Sequence, residues 1–202
     1  MIDLANALRL VLVTDDDLLA GRDIVEVCRA AVRGGVTAVE LRLKRAADRD
    51  LVAAAGRLVQ ALPVPVLVND RLDVALAAGA AGVHLGADDL PPDLARRIAP
   101  AGFIIGASVG LDLEVARGAS ADYWGIGPLR STTTKHDAGA PIGIDGAMRL
   151  LRRADGRPCL LIGGVTPADV KPALDAGFAG VAVVRGILGA ADVEAAARAY
   201  AA

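Results

Sequence analysis

GVTAVELRLK, residues 35–44, is the stretch whose reading decides the fold. Successive side chains of a strand point to opposite faces, so Val39, Leu41 and Leu43 share one side while Glu40, Arg42 and Lys44 share the other. A solvated sheet face would explain the charged side as well as the lining of a closed interior would. The neighbouring segments decide between them.

Seven further runs have the same strand-like character: residues 9–15, 64–70, 82–86, 103–108, 122–127, 159–164 and 180–186. Between them lie Ala- and Leu-rich segments with helical spacing. In residues 22–35, for example, Ile24, Val27, Cys28, Ala31 and Val32 make an apolar stripe. Strand and helix alternate eight times along the chain. Such alternation implies parallel strands joined by helical crossovers, and eight units can close into a (β/α)8 TIM barrel. The chain is read as one α/β domain, residues 1–202. Glycines 34, 35, 79, 118 and 177 stand where helices give way to strands, and are expected to supply left-handed C-terminal turns.

Composition fits this reading. The sequence is 54% hydrophobic but only 2% aromatic, so the core must be built from small and branched side chains. A net charge of −2 gives no broad basic surface for nucleic acid or an anionic membrane, which leaves small molecules as the expected partners. Self-association into a homo-oligomer is left open. Cys28 and Cys159 are far apart in apolar surroundings and read as buried thiols. The N-terminal residues lack a basic region followed by a long apolar stretch, and no apolar run approaches ~18 residues, so a soluble, cytoplasmic protein is expected.

In a closed barrel Glu40, Arg42 and Lys44 would project inward and toward the C-terminal rim, where charges need a ligand, a metal or one another. Two cations beside one carboxylate would leave a positive surplus suited to an anion. Asn69 and Asp70 end the third strand; Asp88 and Asp89 follow the fourth. Each pair could cap the helix behind it. Alternatively, Asp70 and Asp89 could share magnesium, which takes a few carboxylates together with waters and phosphate oxygens. The loop GPLRSTTTKHDAGAPIG, residues 127–143, offers hydroxyls and an ammonium to phosphate. Gly163-Gly164 and the Val184-Arg185 turn close strands seven and eight, where many barrels bind phosphate through backbone N–H groups. His84, inside its strand, reads as a hydrogen-bonded core residue, and His136 as solvated.

The segments NDRLDVALAAGAAGVHLG (69–86), IIGAS (104–108), ADYWGIGP (121–128), TTTK (132–135) and IGGVTP (162–167) occur in this order. With them the chain resembles the thiamine-phosphate synthase family from near its first strand to its last. That resemblance implies a magnesium-dependent transferase. Its reaction joins hydroxymethylpyrimidine diphosphate to a thiazole phosphate, releasing pyrophosphate, through a pyrimidine-stabilised carbocation. It further implies that Glu40, Leu41, Arg42, Leu43, Lys44, Asn69, Ser108 and Lys135 bind the pyrimidine diphosphate. Arg42, Lys44, Ser108 and Lys135 would be catalytic, and Asp70 and Asp89 the metal ligands. Thr132, Thr133, Thr134, Gly163, Gly164, Val184 and Arg185 would bind the thiazole phosphate.

The sequence departs from the family at three places. Glu40 stands where glutamine is usual, Arg130-Ser131 replaces an aromatic-proline pair, and Arg185 replaces a serine. Arg130 could close over an anion or lie in solvent. A thiazole tautomerase shares the barrel and the phosphate site, but its pattern has a histidine where this chain has Gly110. A non-catalytic phosphate-binding barrel is the other alternative.

Overall fold

The computed structural model describes residues 2–19, 21–131 and 139–201. Its strands are β1 (Leu10–Val13), β2 (Ala38–Leu41), β3 (Val66–Asn69), β4 (Gly82–Leu85), β5 (Ile104–Val109), β6 (Tyr123–Ile126), β7 (Cys159–Ile162) and β8 (Gly180–Val183). Each pairs in parallel with the next, and β1 pairs with β8, closing the barrel. The eight strand-like runs thus become its eight staves.

Alternation sorts the side chains into two apolar layers. Leu12, Val39, Leu41, Val68, Leu85, Ile105, Trp124 and Leu161 pack outward against the helices. Val11, Val13, Ala38, Leu67, Ile104, Tyr123, Leu160 and Ala182 pack inside. Leu4 and Leu8, ahead of β1, join the inner layer. Glu40 is two residues beyond Ala38 and so belongs to the interior, where it is buried.

The helix Ile24–Arg33 shows how the outer layer is made. Asp23 caps it, accepting from the N–H groups of Val25 and Glu26, while Ile24, Val27, Cys28 and Ala31 are buried toward the barrel. Burial pushes the Cys28 and Cys159 thiols up to about 12, so both are inert, protonated core groups at neutral pH.

The glycines divide into two kinds. Gly35, Gly79 and Gly177 have the positive φ of left-handed turns. Gly34 and Gly118 are right-handed instead, a correction to the expectation for them. They are small because the chain passes close by: a Cβ on Gly34 would lie 2.4 Å from the Glu194 carbonyl oxygen, and one on Gly118 would lie 2.6 Å from Trp124 Nε1.

Candidate active site

Strand ends and the loops after them surround a cavity of about 500 Å3. Val13, Glu40, Arg42, Asn69, His84, Ser108, Gly163 and Val184 contribute to its lining, together with Pro128, Ile142 and Ile162.

Arg42 lies just beyond β2 and is held by the end of β1. Its N–H donates to Thr14 Oγ1 at 2.8 Å, and its Nη1 donates to Asp15 Oδ2 at 3.1 Å. Asp15 is itself fixed, since its Oδ1 accepts from the N–H groups of Asp17 and Leu18. Lys44, two residues further on, has left the cavity wall for the rim, where Nζ lies 2.5 Å from Asp70 Oδ2. Leu41 is buried in the outer layer and Leu43 packs against it, so their side chains face away from the cavity. Contact of either residue with a ligand would therefore run through its main chain.

The expected surplus of positive charge is also corrected. Among the described residues, Glu40, Asp15, Asp70 and Asp89 gather around Arg42 and Lys44, and the balance is acidic. The partners come from β1 and β3, beyond the reach of a reading confined to β2.

Asp70 and Asp89 do not cap helices. The helix Leu72–Ala77 follows Arg71, and the helix Pro92–Ile98 follows Pro91, both without a side-chain cap. Asp70 sits at the left-handed φ of 64°. Asp89 Oδ2 accepts the Gly86 N–H at 2.6 Å. Its carboxyl is raised above its ordinary value, first by burial and then by contact with the Asp70 carboxyl, with the Gly86 N–H and then Lys44 opposing. Two carboxyl groups forced together make a donor set that a hard divalent cation would relieve of its repulsion. The residues fit magnesium.

Within the barrel, β4, β5 and β6 carry a polar row. His84 Nδ1 lies 2.9 Å from the Tyr123 hydroxyl, and Nε2 lies 3.0 Å from Ser108 Oγ. His84 is therefore the hydrogen-bonded interior residue expected of it, although it also lines the cavity. Burial, reinforced by the charges of Glu40 and Asp122, keeps the Tyr123 phenol well above its usual range.

Across the barrel, Gly163 and Gly164 both adopt positive φ after β7. A Cβ on Gly163 would lie 2.5 Å from Pro128 Cβ, so the two loops touch there. Arg130 neither lies free in solvent nor closes over the cavity. It makes a two-pronged pair with Asp169, both contacts at 2.7 Å, and donates to the Gly164 carbonyl at 2.9 Å. Asp169 also accepts from the Thr166 N–H and hydroxyl, and Arg130 holds its carboxyl well below the usual range. Val184 precedes the short helix Arg185–Leu188, whose first residue is exposed. Thr132, Thr133, Thr134, Lys135 and His136 lie outside the described residues.

The structure thus brings Glu40, Arg42, Asn69, Ser108, Gly163 and Val184 to one cavity, and it clusters Lys44, Asp70 and Asp89 just beyond the wall residues Asn69 and Ala87. Sequence reasoning missed Thr14, Asp15, Tyr123 and Asp169. The first two carried a usable signal, polar residues ending a strand-like run in the manner of Asn69-Asp70. The others act through partners distant in sequence.

The thiamine monophosphate synthase family model matches residues 10–187. The thiamine-phosphate synthase of Methanoculleus marisnigri is 45% identical over 194 residues, covering 94% of this chain and 92% of that protein. That of Albidiferax ferrireducens is 45% identical over 192 residues, covering 93% and 87%. Among solved structures, the thiamine phosphate pyrophosphorylase from Pyrococcus furiosus superposes with a TM-score of 0.84 at 35% identity, covering 98% of this chain and 96% of that one. With matches of this extent, and a solved barrel that superposes over nearly the whole chain, the chain belongs to the thiamine monophosphate synthase family.

Proposed function

We propose that this chain is a transferase that makes thiamine phosphate. It would condense 4-amino-2-methyl-5-hydroxymethylpyrimidine diphosphate with 4-methyl-5-(2-hydroxyethyl)thiazole phosphate and release pyrophosphate, or with the carboxylated thiazole phosphate and release carbon dioxide as well. Beyond family membership, the observation that carries this reading is the acidic rim. Asp70 and Asp89 crowd together beside Lys44, just past Asn69 and Ala87 on the wall of a cavity that Gly163 also lines.

A diphosphate would not enter this acidic surround alone. Asp70 and Asp89 would hold magnesium, which when bound supplies positive charge to the diphosphate oxygens. Arg42, from the cavity wall, and Lys44 would add positive charge to the diphosphate, and the family resemblance assigns Lys135 the same role. Ser108 offers a hydroxyl. Asn69, Glu40 and the main chain at Leu41 and Leu43 orient the pyrimidine. The C–O bond to the diphosphate breaks with its electron pair going to the leaving oxygen, and the cation left on the methylene carbon is delocalised into the aminopyrimidine ring. The thiazole nitrogen then donates its lone pair to that carbon. Thr132, Thr133, Thr134, Gly163, Gly164, Val184 and Arg185 hold the thiazole phosphate so that this nitrogen faces the carbon. Val13, Ile142, Ile162 and Val184 supply apolar walls that keep water from capturing the cation. No protein nucleophile is needed, because charge stabilisation on the leaving group does the catalysis.

Cytoplasmic action is part of the proposal. It is supported by the absence, among the described residues, of a helix long and apolar enough to cross a membrane, and by two free buried thiols.

The test is an assay with both substrates and magnesium, following thiamine phosphate and pyrophosphate together. Equal amounts of the two products are expected. Binding of the thiazole phosphate without either product would replace this reading with that of a binding barrel, and isomerisation of the thiazole alone with that of a tautomerase.

A further inference from the structure

His84 and Tyr123 are titratable, buried and unused by the steps above, yet they touch a residue that is used. The strand register explains the contact. His84 of β4 is level with Gly106 of β5, which is level with Tyr123 of β6, while Ser108 is level with Gly125. Glycine makes room at both interior positions, strictly at Gly106 and with a tight fit at Gly125. A Cβ on Gly106 would lie 2.2 Å from Tyr123 Cζ, and one on Gly125 would lie 3.1 Å from His84 Cε1. Two strands thus give up their side chains so that a phenol and an imidazole can lie in the barrel and reach Ser108.

We propose that Tyr123 and His84 are positioning residues that orient the Ser108 hydroxyl as a hydrogen-bond donor to an anionic oxygen in the cavity, an inference that rests on the diphosphate reading above. The direction of each bond follows from the one before it. Tyr123 is fully buried, and Glu40 acts on its phenol by charge, so the phenol keeps its proton. It donates that proton to the group it touches, Nδ1 of His84, 2.9 Å away. With Nδ1 accepting, the neutral ring carries its own proton on Nε2. Nε2 then donates to Ser108 Oγ across 3.0 Å. The serine oxygen is occupied as an acceptor on that side, and its hydrogen is directed away from the imidazole, into the cavity that both residues line. A serine so fixed offers a phosphate oxygen a donor that needs no reorientation when charge develops there.

The chain has two histidines, so a nitrogen-15 spectrum of the histidine-labelled protein at neutral pH, with a His136→Asn variant for assignment, reports the His84 tautomer directly. The expected result is a neutral ring protonated at Nε2. Protonation at Nδ1 alone, or at both nitrogens, would overturn the proposal. In the kinetic arm, Tyr123→Phe should lower kcat about tenfold while leaving KM for the thiazole phosphate unchanged. It should add nothing in a Ser108→Ala background, because the hydroxyl it orients is gone. His84→Gln, which can place an amide N–H near the Nε2 position, should recover part of the activity lost in His84→Ala. Additive effects of Tyr123→Phe and Ser108→Ala would overturn the proposal even with the expected tautomer. Absence of turnover in the wild type, with the tautomer as expected, would instead count against the diphosphate reading.

Discussion

Arg42 and Asp15 form an ion pair at 3.1 Å in which each side chain is only 12% exposed, joining the end of β1 to the end of β2. The pair holds the guanidinium at the cavity wall before any anion arrives. Removing one partner leaves the other charge poorly solvated, so Asp15→Ala should lower stability by about 3 kcal/mol, measured by urea unfolding. Asp15→Asn keeps an acceptor for the two N–H groups that anchor this side chain and should cost less. Arg42→Ala should slow the chemical step itself by on the order of 10²-fold, corresponding to ~3 kcal/mol. Single-turnover rates test this, and an unchanged rate with weaker binding would show that Arg42 only attracts the anion.

Asp89 gives a prediction in which stability and activity part. Its carboxyl is raised by burial and by Asp70, so the folded state favours its protonated form. A group raised in this way contributes stability that is full below the unfolded carboxylate range and lost as pH rises through its folded value. At neutral pH without metal, Asp89→Asn should therefore melt at a higher temperature than the wild type. The difference should vanish as pH falls below about 4, where the unfolded carboxyl also holds its proton. The same variant should lose most of its magnesium-dependent activity. A melting temperature lower than wild type at neutral pH, or full turnover at saturating substrate, would contradict the assignment.

Arg130 and Asp169 should behave oppositely. The Asp169 carboxyl is lowered chiefly by Arg130, so its contribution is present above the unfolded carboxylate range and lost as pH falls through the folded value. Arg130→Ala should thus be less stable than the wild type at pH 7, and the two should converge in acid. The pair also secures the Gly164 carbonyl, so the variant should raise KM for the thiazole phosphate more than it lowers kcat. Identical acid unfolding curves would show that the pair contributes nothing.

Glu40 lies buried on the cavity wall, while Arg42 and Lys44 reach Asp15 and Asp70. Its place on the cavity wall supports a pyrimidine contact for Glu40. Glu40→Gln keeps the shape and one acceptor and should retain substantial activity. Glu40→Ala should weaken binding of the pyrimidine alcohol, which carries no diphosphate. Equal calorimetric affinities for wild type and Glu40→Ala would remove Glu40 from pyrimidine recognition.

The barrel was legible in the sequence because its cause is periodic. Alternation in residues 38–44 and seven similar runs, each separated by a helical stripe, leaves few ways to bury both faces of every strand. Residues at strand ends were legible for the same reason, since closing the sheet carries Glu40, Asn69, Ser108 and Gly163 to one rim whatever their partners are. Tertiary structure alone decided which charge meets which. Asp15 answers Arg42, Asp70 crowds Asp89, and Tyr123 fixes His84, through contacts between strands whose residues are tens of positions apart. Electrostatic and hydrogen-bond energies depend on distances of a few ångströms and on burial, and neither is a property of a segment read by itself. This is why the single strand read alone suggested a surplus of positive charge, and the closed barrel placed an acidic surround about the same two cations.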